Sequence, residues 1–261
     1  MNGHIFAYSG SGNTLLACEA IRTRVTSVDF NIVDLLSNPA HDPSNAGFVG
    51  FATWADFWDP PQRMKTFMES LQPVDGTPAF VFNTYGAMSG RTLATLHRWA
   101  HAKGFRVVAG HSLHAPESFP PMIKRGQGFA DAPNEKELAA FESFASTLDE
   151  IGRVLSGGGC PPIVGAGLAR FVPAFSRTHS RRAMGEKHVD EEACTECGTC
   201  RDRCPYGAIE LTPKPVFDQE RCYGCWACYN HCPTNAIYTA KIRGVTQYAG
   251  PSGGLRGKLV R

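Results

Sequence analysis

The chain has 261 residues, 43% hydrophobic and 19% charged, with a net charge of +2 at pH 7. This composition excludes a disordered chain and a globally cationic nucleic-acid binder, and the length suits two domains. No run reaches the roughly 18 apolar residues of a membrane-crossing helix. Met1-Asn2-Gly3-His4 leads into an apolar stretch without a charged, cleavable leader, so a cytoplasmic, reducing compartment is expected.

Residues 1–155 alternate between strand and helix patterns. Ile5-Phe6-Ala7-Tyr8 reads as a buried parallel strand, followed by Ser9-Gly10-Ser11-Gly12-Asn13-Thr14 and a helix through Leu15, Leu16, Cys18 and Ile21. Further strands are expected at 28–33, 48–52, 79–82 and 105–109. Pro61 opens a helix with Met64, Phe67, Met68 and Leu71 on one face, and Leu93, Leu96 and Trp99 mark another, stopped by Gly104. Asn134-Glu135-Lys136-Glu137 resembles a capping box ahead of a helix whose apolar face is Leu138, Phe141, Phe144, Leu148 and Ile151. Five strands alternating with helices imply an α/β fold with a doubly wound parallel sheet.

Such sheets bind ligands at the carboxyl ends of their strands. The loop Ser9, Gly10, Ser11, Gly12, Asn13, Thr14 falls at such an end, just before a helix, and offers hydroxyls, an amide and backbone N–H groups to an anion. It is neither a Walker A loop nor G-x-G-x-x-G, since Leu15 stands where the third Gly belongs. Alone, it reads equally as a phosphate loop or an ordinary small-residue turn. After the third strand come Thr53, Trp54, Ala55, Asp56, Phe57 and Trp58, whose aromatics suit either a flat ring or a hydrophobic plug. After the fourth come Asn83, Thr84, Tyr85, Gly86 and, farther on, Gly90, where glycines let backbone approach a ligand. Three such loops at one edge point to a phosphate-bearing aromatic ligand. His111 and His114 follow the fifth strand and are candidates for the same pocket.

The run Ser156-Gly157-Gly158-Gly159-Cys160-Pro161-Pro162 breaks the chain, so the first domain is placed at 1–155 and a linker at 156–189. The linker holds a mildly amphipathic stretch, 163–175, and the basic stretch 177–182, and reads as a connector packed between domains. Cys18 reads as a core residue, Cys160 has no assigned role, and His97 and His101, four apart, lack an acid motif that would make them a metal site.

Cys194, Cys197, Cys200 and Cys204 follow C-x-x-C-x-x-C-x-x-x-C-Pro, and Cys222, Cys225, Cys228 and Cys232 repeat it. Three thiolates from one tight loop suit one iron–sulfur cube, while the fourth ligates the other cluster. One [4Fe-4S] cluster is therefore assigned to Cys194, Cys197, Cys200 and Cys232, and the second to Cys222, Cys225, Cys228 and Cys204. A zinc ribbon would pair two C-x-x-C units, and a disulfide scaffold needs an oxidising compartment. Radical chemistry of the C-x-x-x-C-x-x-C type is excluded, because Gly207 and Asn235 stand where its last cysteine would be. Residues 241–261 form a basic tail with Lys241, Arg243, Arg256, Lys258 and Arg261, expected as a solvated end, with docking to an acidic partner as the alternative.

The Ser9–Thr14 loop resembles the phosphate loop of flavodoxins, and the loops at 53–60 and 83–90 correspond to those that bracket the FMN ring there. Residues 190–236 resemble bacterial two-cluster ferredoxins, and that domain is placed at 190–240. The order of the two, with the segment Ala115-Pro116-Glu117-Ser118-Phe119-Pro120-Pro121-Met122, resembles ferredoxins with an N-terminal flavodoxin-like domain, found in anaerobes and archaea. The resemblance implies a flavodoxin-like sheet plus a small α+β 2[4Fe-4S] ferredoxin domain. It also implies FMN, with electrons passed to or from a partner redox protein, and reductive activation of a metalloenzyme is one such role. The alternatives are an FMN-dependent reductase of a small substrate fed by the clusters, and a docking scaffold without FMN. The edge offers only Asp56, Asp59 and Glu117 as acids, so the charge around a flavin does not carry over from the family. A homodimer is left open.

Overall fold

A computed structural model describes residues 1–38, 46–173, 177, 181 and 184–260. Five strands, β1 (Asn2–Ala7), β2 (Asp29–Asp34), β3 (Phe48–Trp54), β4 (Pro78–Tyr85) and β5 (Arg106–His114), form one parallel sheet in the order β2-β1-β3-β4-β5. That is the flavodoxin-like order, with its switch point between β1 and β3. Phe48 to Ala52 are all buried, as a strand covered on both faces requires.

Helices α1 (Asn13–Arg24) and α5 (Glu135–Ser156) cover one face, where Leu16, Ile21, Phe141 and Leu148 pack on Phe48, Phe80 and Phe82. Helices α2 (Gln62–Ser70) and α3 (Thr92–Ala102) cover the other, where Met64, Phe67 and Leu96 pack on Phe6, Phe51 and Val81. The expected capping box forms at α5: Glu137 N–H donates to Asn134 Oδ1 at 2.9 Å and Asn134 N–H to Glu137 Oε2 at 2.8 Å. Cys18 is fully buried and Cys160 exposed, while His97 and His101 stack parallel on α3. After β5 comes a single helical turn, α4 (Pro120–Ile123).

The cysteine-rich part is two copies of one unit. β6 (His188–Val189) pairs antiparallel with β9 (Ile237–Tyr238), and β7 (Ile209–Leu211) with β8 (Pro215–Phe217); one-turn helices α6 (Thr199–Asp202) and α7 (Ala227–Asn230) complete the pair. The backbone repeats residue by residue. Glu196, Gly198 and Gly207 are left-handed in the first copy, and Gly224, Trp226 and Asn235 at the matching places in the second. Glycine adopts that conformation freely; the other side chains need local compensation.

The expectation of a solvated C-terminal end is overturned. Among the described residues of the tail, α8 (Gly253–Leu259) returns to the first domain, where Leu255 and Leu259 are buried in the core beside α1. Arg24 donates to the Leu259 carbonyl at 2.6 Å, and Pro251 covers Gly12 at the start of α1. The apolar leucines, spaced four apart, outweigh the basic residues around them. In the basic linker stretch, only Arg177 and Arg181 lie among the described residues.

Candidate functional site

A cleft runs along the carboxyl edge of the sheet in two joined lobes. One is lined by the loop residues Gly10, Ser11, Asn13 and Thr14. The other is walled by Trp54, Phe57, Trp58, Met88, Phe119 and Trp226. Trp54, Ala55, Gly86, Glu117, Ser118 and Cys225 border both. The polar lobe sits at the start of α1, where the first N–H groups have no intrahelical acceptor. The aromatic lobe is set by Phe57 and Trp58, two consecutive non-glycine residues with left-handed φ of 51° and 72°. Such strain persists only where surroundings over-determine it, and it gathers at ligand sites. Here Phe57 packs edge-on to Phe119 at 5.3 Å. A Cβ at Gly86 would lie 2.3 Å from Glu117 Oε2, so a side chain there would displace the Glu117 carboxylate.

The expected loop residues divide into two groups. Gly10, Ser11, Asn13, Thr14, Trp54, Phe57, Trp58, Thr84, Tyr85 and Gly86 line the cleft. The others hold it in shape. Ser9 is buried and accepts the Gly12 N–H at 3.0 Å. Thr53, on the opposite side of the strand from Trp54, donates to the Tyr8 carbonyl at 3.3 Å. Asn83 Oδ1 accepts from Ser89 and Ser112, and Gly90 lies under Trp58. His111 and His114 do not reach the cleft: His111 stacks on Phe144, and His114 pairs with Glu137 at 3.0 Å and stacks on Tyr85.

Residues outside the expected loops complete the site. Glu117 Oε1 accepts the N–H groups of Ser118 and Phe119, and burial pushes its carboxyl up despite those bonds. Asn230 donates to the Ser118 carbonyl, and Tyr248 donates to Asn13 Oδ1 at 2.6 Å. Arg177, from the linker, pairs with Asp56 at 2.8 Å and lines the aromatic lobe. Trp226 occupies the left-handed position that Gly198 holds in the other copy, a difference visible in the aligned cysteine runs. The linker arginine left no such signal, because no local pattern ties it to a site far along the chain.

The cysteines fall into two groups. Cys194, Cys197, Cys200 and Cys232 line one small cavity with Val189, Leu211 and Ile237 around it. In the other group, burial pushes the Cys228 thiol up; Lys187 opposes this, while Cys225, Cys222 and Cys204 reinforce it. Burial likewise raises Cys225 to about 11, with Cys204 and Cys222 adding to it. Each group thus takes three cysteines from one run and the fourth from the other. Backbone N–H groups point at the crossing sulfurs, Ala208 to Cys204 at 3.4 Å and Ala236 to Cys232 at 3.3 Å. Lys187 is almost fully buried, its ammonium 3.6 Å from the centroid of the Trp226 ring.

Residues 187–210 and 215–238 each match the 4Fe-4S binding domain family. The C-terminal part therefore carries ferredoxin-type 4Fe-4S motifs. Over 108 residues, 38% of its length, the chain is 32% identical to an iron-sulfur protein of the CoB–CoM heterodisulfide reductase of Methanopyrus kandleri, and it spans only 16% of that protein. Among solved structures, it is similar to a flavodoxin from the domain Archaea (18% identity, TM-score 0.44, 59% of this chain and 99% of that one). It is also similar to a WrbA-like flavodoxin from Agrobacterium tumefaciens (14% identity, TM-score 0.44, 58% and 97%). The sheet order, independent of those likenesses, makes the first domain flavodoxin-like. The ferredoxin-type motifs support an electron-transfer role, and no helix among the described residues is long and apolar enough to cross a membrane.

Proposed function

We propose that this chain transfers electrons between one FMN and two [4Fe-4S] clusters and exchanges them with a partner redox protein. The observation that carries the proposal is Cys225, which borders both lobes of the cleft and belongs to the second cysteine group. A group in the cleft and a cluster on Cys204, Cys222, Cys225 and Cys228 would share a wall.

The residues present fit both groups. Gly10, Ser11, Asn13 and Thr14 offer neutral donors and a helix N-terminus to a phosphate. Trp54, Phe57, Trp58 and Met88 offer flat and apolar surface to a ring. FMN, when bound, supplies a carrier that takes two electrons, singly or together, whereas each cube passes one. Trp226 and Phe119 exclude water between cleft and cysteine loop. The Cys204 group is nearest the cleft; the Cys194 group lies beyond it, with Cys197 exposed, so exchange with the partner is assigned to that end. The domains are taken as 1–155 and 190–240, joined by 156–189, with the 241–261 tail running from the second domain, where Ile242 is buried, to α8, packed back on the first.

The proposal is tested by iron, sulfide and extracted flavin in protein purified without oxygen. The expected content is about eight irons and one FMN per chain. A full iron complement without flavin, even after incubation with excess FMN, would remove the flavin from the account.

A further inference from the structure

We propose that Arg177, outside both domains in sequence, recognises the electron-rich edge of the flavin ring and favours its reduced form. The inference rests on FMN as occupant of the cleft. The guanidinium lies between two rings, 4.8 Å from the Phe57 centroid and 4.4 Å from that of Tyr223. Its Nε donates to Asp56 Oδ2 at 2.8 Å and its Nη2 to the Gly224 carbonyl at 3.0 Å. Those two bonds and two stacks fix a planar, five-donor group that otherwise has much rotational freedom.

Nη1 is buried and has no hydrogen-bond partner among the described residues. It carries two N–H donors on a residue that lines the aromatic lobe. A buried charged donor without an acceptor is costly, and the cost is removed when a bound group supplies one. Burial pulls the guanidinium's pKa down, but Asp56 and Tyr223 outweigh it, so the group stays charged.

The occupant this donor suits carries an acceptor on a flat ring. Uptake of two electrons and one solvent proton leaves a neutral isoalloxazine with one negative charge, on its N1–C2 carbonyl edge. A fixed cation facing that edge stabilises charge that appears only on reduction, so it strengthens binding of the reduced form more than the oxidised. Asp56 Oδ2 is already engaged by Arg177 and Tyr223, whereas the Nη1 donors are not. Because Arg177 belongs to the linker, the same side chain makes ring binding depend on the linker being seated.

The test is Arg177→Gln in the full chain with clusters assembled, reading FMN dissociation constants for the oxidised and reduced forms and the two-electron potential of the bound flavin. The expected result is that reduced FMN weakens about tenfold more than oxidised FMN. That ratio corresponds to a potential about 30 mV lower. Arg177→Lys keeps the charge without the fork and should fall between; it serves as the readout if the Gln variant loses its clusters. Equal weakening of both forms, or none, would make Arg177 a linker clamp only and overturn the inference. Wild-type protein that binds no FMN would instead remove the reading beneath it, and the inference with it.

Discussion

Tyr223 accepts the backbone N–H of Gln62 at 3.1 Å and donates its own hydroxyl to Asp56 Oδ2 at 2.7 Å. A residue between two cysteines thus hangs from both the aromatic loop and the start of α2. Arg63 adds a second tie, donating to the carbonyls of Leu35 and Pro205. The cluster loop is therefore held against the cleft by hydrogen bonds as well as by apolar contact.

Tyr223→Phe tests that attachment. The change leaves Asp56 paired with Arg177 but short of one donor, an expected cost of about 1–2 kcal/mol in unfolding free energy. Denaturant unfolding measures it. FMN should still distinguish reduced from oxidised states as in the wild type, because the Arg177 fork is untouched.

Trp226 carries opposing contributions. Its left-handed φ of 64° is relieved in Trp226→Gly, a gain of about 1 kcal/mol. Against this stands the loss of a side chain 2% exposed that packs on Phe119 and Tyr229 and donates to Met184 Sδ. Removing a buried aromatic of that size costs about 3–5 kcal/mol. The variant should be less stable by about 2–4 kcal/mol, and its clusters should bleach faster in air. Equal bleaching rates would show that the indole does not shield them.

Much of this was legible in sequence because the chemistry is local. The two cysteine runs fix ligand spacing within a loop, and the apolar strands must be covered on both faces. The cleft-lining role of Trp54, Phe57 and Tyr85 followed from their place after strands three and four. Thr53, Asn83 and Gly90 belong to the same loops in sequence, but strand alternation and loop closure turn them inward. The C-terminal helix was missed because its two leucines sit among basic and glycine residues, and their burial depends on a surface of α1 that no local window reveals. Arg177, likewise, is placed by Asp56, more than a hundred residues earlier.

Gly86→Ala probes the cleft wall. The added methyl would meet Glu117 Oε2 at 2.3 Å, so the carboxylate, which borders both lobes of the cleft, must shift. FMN affinity should fall by about tenfold, a cost of about 1.4 kcal/mol. Iron content should stay unchanged, since no cysteine loop is touched. Fluorescence titration of FMN into the flavin-free chain gives the comparison.

His111 supplies a pH dependence. Burial against Phe82 and Phe144 lowers it from 6.5 to about 4, and its Nε2 is buried without a partner. Between those values the unfolded chain binds a proton that the folded chain does not. Stability is therefore independent of this group above about pH 6.5 and falls as the pH drops toward about 4, by about 3 kcal/mol in all. His111→Phe should flatten that part of the curve, measured by thermal unfolding of the cluster-loaded protein at a series of pH values.

The central claim is that the flavin and the Cys225 cluster share a wall. Partial reduction followed by electron paramagnetic resonance tests it through the relaxation of the one-electron flavin radical. Beside a reduced cluster the radical should relax much faster in the wild type than in Cys225→Ser, where that cluster is lost. Identical power saturation in the two proteins would contradict the account, because it would place the flavin out of magnetic reach of the cluster.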